Sequence, residues 1–287
     1  MSSPILDLSY RNYDGPLEPP IYRWWAIART GMRLATKKSG FWVWACLSAW
    51  WYLALIFIFY FTTSLNVGNA NPANPMSQLA SQVNWPNMFV HAFSYGQLLL
   101  FILALLIGVG SIANDNRANA LIVYLSKPCS KLDYVIGKWL AIFLPITAVV
   151  GAPMLLFYGY CLMSYRDYGF TADPWLLGKL LLIIPVPGII HASLGLGISS
   201  LFKQGRLAGA AYAGLYFFGV FFTKAMQVAH FANISQTGTQ RIVDNLSYAS
   251  VDGLQIGFAK ASLNTNGGIA LPFFGGQMAR ADGLFIG

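Results

Sequence analysis

The chain has 287 residues, of which 56% are apolar and only 10% charged, with a formal net charge of +8. Ordinary soluble domains carry roughly a quarter charged residues, so this chain cannot cover itself in water, and a soluble fold is excluded. Cys46, Cys129 and Cys161 lie far apart with no Cys-x-x-Cys spacing, which indicates neither a disulfide framework nor a zinc site.

In chain order, the residues before Ile21 hold no apolar stretch resembling a signal-peptide core, so the N terminus is expected to be retained. Ile21 to Ser39 mixes Trp24, Trp25, Ile27, Met32 and Leu34 with five basic residues, the composition of a helix lying in the headgroup plane. Phe41 to Thr62 carries no charge over about 22 residues, roughly 33 Å of helix and enough to span. Trp42 and Trp44 at its start suit an interfacial belt. Leu65 to Trp85, with Asn-Pro twice and no charge, reads as an extramembrane loop. Further apolar runs follow over Phe89 to Ala113, Trp139 to Met163 (with Pro145 and Pro153), Leu176 to Phe202 (with Pro185 and Pro187) and Leu207 to Thr223. The expected fold is therefore an all-α integral membrane bundle of five spans. After the fifth, Gly253 to Ala259 and Ile269 to Phe274 are apolar but short and broken, so residues 230–287 are expected to be extracytoplasmic or to re-enter. This leaves a cytoplasmic arm with an interfacial elbow (1–40), a transmembrane domain (41–229) with a cytoplasmic loop at 114–138, and that C-terminal segment.

The basic residues set the orientation. Six precede Phe41 (Arg11, Arg23, Arg29, Arg33, Lys37, Lys38), four lie between the second and third spans (Arg117, Lys127, Lys131, Lys138), and two between the fourth and fifth (Lys203, Arg206). The opposite loops hold only Arg166 and Lys179. Twelve against two puts the N terminus in the cytoplasm of a cell membrane, and the surplus charge then needs no nucleic-acid partner.

The stretch from Ser111 to Lys138 carries a signature. It contains an acidic-basic turn at Asp115 and Arg117 and a short apolar segment from Leu121 to Leu125. Leu125-Ser126-Lys127-Pro128-Cys129-Ser130-Lys131 follows, and then Gly137-Lys138. Leu121 to Leu125 is too brief to span, and Pro128 stops a helix there, so a stub lying against the membrane face is predicted. This pattern resembles permease subunits of ABC exporters of the second type, the ABC-2 family. It departs where that family often has Glu and a Gly-Thr pair, here Asp115 and Asn119-Ala120. It departs again at the C-terminal end, where the family has a sixth span and a degenerate or truncated helix is the simplest account. The resemblance implies a coupling helix that docks on a separate ATPase through Asp115, Arg117, Leu121, Leu125, Ser126, Lys127, Pro128 and Lys131. It also implies a second permease chain, with ATP and Mg bound by the partner and no cofactor in this one.

The residues themselves indicate no catalysis. Gly137-Lys138 is followed by Trp139 and Gly178-Lys179 by Leu180, so no phosphate-cradling loop forms. His91, His191 and His230 are widely separated, without carboxylates in the spans to partner them. Polar groups at depth usually face the bundle or a cavity, which makes His191 and Gln97 candidates for lining a substrate path, with hydrogen-bonded packing as the alternative. The reading is a permease subunit forming half of the pathway of an ATP-driven exporter. A non-transporting structural subunit derived from such a permease is the rival.

Overall fold

Ile27, Ala28, Gly31 and Ala35 fall on one face of helix α1 (Arg23–Thr36), while Arg29 and Arg33 are exposed. This two-faced helix lies within the segment Ile21 to Ser39. The computed structural model describes residues 22–66, 83–119, 130–166, 170–231, 246 and 248–265, and every regular element among them is helical. After a break at Lys37 and Lys38 the chain enters α2 (Ser39–Asn66), which has no charged residue. Trp42 lies at this entry, its Nε1 donating to Thr36 O at 3.0 Å while its ring remains exposed, as an interfacial belt requires.

The remaining helices are α3 (Trp85–Ile107), α4 (Ser111–Arg117), α5 (Lys131–Ser164), α6 (Leu176–Ile183), α7 (Pro185–Leu201), α8 (Gly205–Phe231) and α9 (Val251–Leu263). Among the described residues, five segments are long and apolar enough to cross a membrane: Ser39–Phe61, Trp85–Arg117, Lys131–Ser164, Leu176–Leu201 and Gly205–Met226. These correspond to the five predicted spans, but their edges differ for local reasons. The second is broken at Gly108 to Gly110, so its last turns form a separate short helix, α4. The fourth breaks at Ile184, where Pro185 has no N–H to give the preceding turn. The third begins at Lys131, well before Trp139. Ser130 Oγ accepts from the backbone N of Asp133 while the Asp133 carboxylate accepts from the backbone N of Ser130, each at 3.0 Å. This capping box starts the helix in polar sequence. With 34 residues, α5 is about 51 Å long against a hydrocarbon core of about 30 Å, so its first turns stand clear of the lipid.

Contacts between helix ends sort the bundle into two faces. On one, Lys38 Nζ donates to Leu106 O at 2.6 Å, and α1 lies across the start of α5. On the other, Tyr165 Oη donates to Phe59 O at 3.0 Å. There Trp85 packs edge-on against Phe170 with ring centres 5.3 Å apart, and Phe59 similarly meets Tyr165. On that second face the Lys179 ammonium beside Asp173 holds the Asp173 carboxyl below the usual carboxylate range.

The weakly apolar stretch after the fifth span contains α9, a 13-residue helix held inside the bundle against α3, α6, α7 and α8. Its cap Ser250 meets Gly219, and Tyr216 donates to the Asp252 carboxylate. Tyr216 lies 11 residues into α8, about 17 Å along it, so α9 starts near mid-depth. From there it packs beside α6. Residues 266–287 lie outside the described residues.

Candidate coupling site

Helix α4 is only seven residues long, too short to persist alone, so its position depends on what holds it. Three spans do. Ser199 Oγ, at the end of α7 and fully buried, accepts from the backbone N of Ile112 at 3.2 Å and of Ala113 at 3.0 Å, which satisfies two first-turn donors that have no partner within the helix. Asp115 Oδ2 accepts from Tyr134 Oη at 2.7 Å and pairs with Lys138 Nζ at 2.7 Å, both from the start of α5. Asn114 is wedged between glycines: a Cβ at Gly205, the first residue of α8, would lie 2.7 Å from Asn114 Oδ1, and one at Gly110 would lie 3.0 Å from its Nδ2. A displacement of α4 therefore acts on α5, α7 and α8 together.

Of the residues predicted to couple, Asp115 is thus engaged within the chain rather than offered to a partner. Its side chain and that of Lys138 are 20% and 16% exposed, which limits solvent screening of the pair. Arg117 ends α4 and Lys131 starts α5, both exposed. Leu121, Leu125, Ser126, Lys127 and Pro128 lie outside the described residues, as does the predicted stub. Asp115→Asn and Lys138→Gln should each destabilise the fold by about 1–3 kcal/mol, since each leaves a partly buried charge or hydroxyl unmatched. The double variant should fall short of the sum by at least about 0.5 kcal/mol. Denaturant unfolding in detergent would measure this cycle, and additive losses would mean that the ion pair does not brace α4.

The two candidate pathway residues are buried, Gln97 at 2% and His191 at 1% exposure. Gln97 Nε2 donates to Phe93 O at 3.4 Å, and its Oε1 has no partner. His191 Nδ1 shares a hydrogen bond with Tyr212 Oη at 2.6 Å, and the Gln255 amide meets its Nε2 at 3.4 Å. In this conformation His191 is thus fixed by packing and hydrogen bonds. Helix α9 supplies the polar company that the spans lack in sequence: Asp252, Gln255 and Lys260, the last 1% exposed with its Nζ donating to Tyr248 Oη at 3.3 Å. Sequence reasoning passed over these and over Ser199 and Tyr134. For Asp252 and Lys260 a signal existed, because charged residues in an otherwise apolar stretch near spans commonly mark buried or functional sites.

A bundle with five apolar spans among the described residues, preceded by an amphipathic helix and braced around one short helix at a helix-end face, defines a polytopic helical membrane protein. The family model described as ABC-2 family transporter protein matches residues 25–252, from α1 to the start of α9. The chain belongs to that family and is a membrane-embedded component of an ABC transporter, not itself catalytic. No curated protein and no solved structure matches it.

Proposed function

We propose that this chain is the permease subunit of an ATP-driven exporter, oriented with α1 and α4 in the cytoplasm, and that it transmits ATPase closure to its spans through α4. The observation that supports this most is the three-way bracing of α4 by Ser199, Asp115 and Asn114. A soluble partner closing beneath α4 has a lever on three spans at once, and a two-state bundle converts such a push into a change of population. Arg117 and Lys131 are exposed on either side of the segment that such an ATPase would meet, to which the resemblance assigns Leu121, Leu125, Ser126, Lys127 and Pro128, while Asp115 acts from inside as a positioning residue. Family membership implies association with an ABC ATPase and with the bilayer; ATP and Mg then belong to that partner. One bundle makes half of a pathway, so a second permease chain completes it. The buried Gln97 and the His191–Gln255 pair are the polar groups we assign to that pathway.

The test is gentle purification from native membranes with identification of the accompanying chains by mass spectrometry. An ATPase carrying a phosphate-binding loop is expected, retained by the natural protein and lost by Lys131→Glu. A reproducible assembly with no ATPase would overturn the exporter and leave the structural-subunit reading in its place.

A further inference from the structure

On the α1 face a cleft of about 760 Å³ opens between the start of α2, the α3–α4 junction and the start of α8. Three cations line it, one from each of these elements: Lys38, Arg117 and Arg206, all exposed. Among the described residues no Asp or Glu lines it, and neither arginine forms an ion pair or hydrogen bond. Lys38 is anchored by one bond to Leu106 O, which fixes its ammonium at the rim with donors to spare. Ser111 also lines the cleft, and its hydroxyl is buried without a partner. Asn114 and Gln204 add to the polar lining, and Leu105, Leu106 and Ile107 at the end of α3 give the cleft a smaller apolar wall.

Converging cations without acids call for an anion, and arginine's planar fork suits phosphate. The apolar wall and the depth narrow the choice. Lys38 sits between the amphipathic α1 and the interfacial Trp42, which places the cleft at the headgroup level. Basic pockets between transmembrane helices at this level suit anionic headgroups. We propose that the cleft binds an anionic glycerophospholipid of the α1-side leaflet. Its phosphate is held by Arg206, Arg117 and Lys38, and an acyl chain lies along Leu105 and Leu106. A lipid seated there bridges α2, α4 and α8, the same α4 that α5 and α7 brace. The site shares Arg117 with the proposed ATPase surface but does not depend on the transport reading, and Arg206, which lies outside that surface, tests it alone.

The test reconstitutes the protein into nanodiscs of mixed phosphatidylcholine and phosphatidylglycerol, extracts it gently, and reads the retained lipids by native mass spectrometry. The natural chain should keep one phosphatidylglycerol, enriched over its share of the mixture. Arg206→Gln should cut that enrichment about five-fold, the weight of one cation near the surface, and Arg206→Lys should keep most of it. Equal retention by the natural chain and Arg206→Gln, no enrichment in the natural chain, or Arg206→Lys failing as badly as Arg206→Gln would overturn the proposal. Two further arms separate other occupants. Loss of the retained lipid to excess inorganic phosphate would assign the cleft to a soluble anion. A partner chain lost from the native assembly by Arg206→Gln, with lipid retention unchanged, would assign it to protein. Either result overturns the lipid.

Discussion

Ser199→Ala should destabilise the bundle by about 1–3 kcal/mol, and the loss should be concentrated at α4. The variant removes one oxygen but strands two donors, since the Ile112 and Ala113 amides both point at Ser199 Oγ in a fully buried setting. A buried donor without an acceptor forfeits its desolvation cost in full, and loss of an N-terminal cap typically costs about 0.5–2 kcal/mol. Hydrogen exchange should show amides 111–117 losing protection while those of α2 keep theirs. Ser199→Thr keeps the hydroxyl and should retain most of the protection. If the alanine variant exchanges like the natural protein, α4 is held by Asp115 and Asn114 alone. The lever from α4 to α7 would then be absent.

The spans were legible because lipid imposes a harsh rule: every lipid-facing turn must be apolar for the length of the bilayer. The amphipathic character of α1 was legible for a related reason, as Ala28 and Ala35 face protein while Arg29 and Arg33 stay exposed. What stayed hidden depends on partners far away in sequence. The cap at Ser199 serves amides 86 and 87 residues distant, and no local pattern announces it. The break at Gly108 to Gly110 lies inside an unbroken apolar run, where hydropathy sees no change. Helix α5 was predicted to begin late because Lys131, Asp133 and Lys138 read as loop, although Ser130 and Asp133 stand at capping-box spacing. Helix α9 escaped for the opposite reason. It is surrounded by protein rather than lipid, so Asp252, Gln255 and Lys260 are tolerated wherever Tyr216, His191 and Tyr248 meet them, and hydropathy then stops tracking burial.

Gly137→Leu should release α1 from the bundle. An added Cβ at Gly137 would lie 2.7 Å from Trp24 O and 2.7 Å from Ile27 Cβ. The first of these is backbone, so the helix as a whole would have to move. One turn further, Gly31 and Ala141 repeat the close approach, with 2.5 Å between an added Cβ and that of Ala141. Overpacking of this kind costs about 1–3 kcal/mol for small additions, and leucine adds far more than a methyl group. Hydrogen exchange of amides 23–36 should rise at least about tenfold, the equivalent of about 1.4 kcal/mol. Gly159→Ala, where nothing stands within 4 Å, should leave those amides as they were. The neighbouring residue gives this variant its value, because Lys138 reaches the other way to Asp115. The Gly137-Lys138 pair thus seats α1 with one residue and α4 with the next. If both helices contribute to holding a cytoplasmic partner, Gly137→Leu should weaken retention of that partner while the protection of amides 111–117 persists. Loss of protection in both helices would show instead that the start of α5 moves as one body with them.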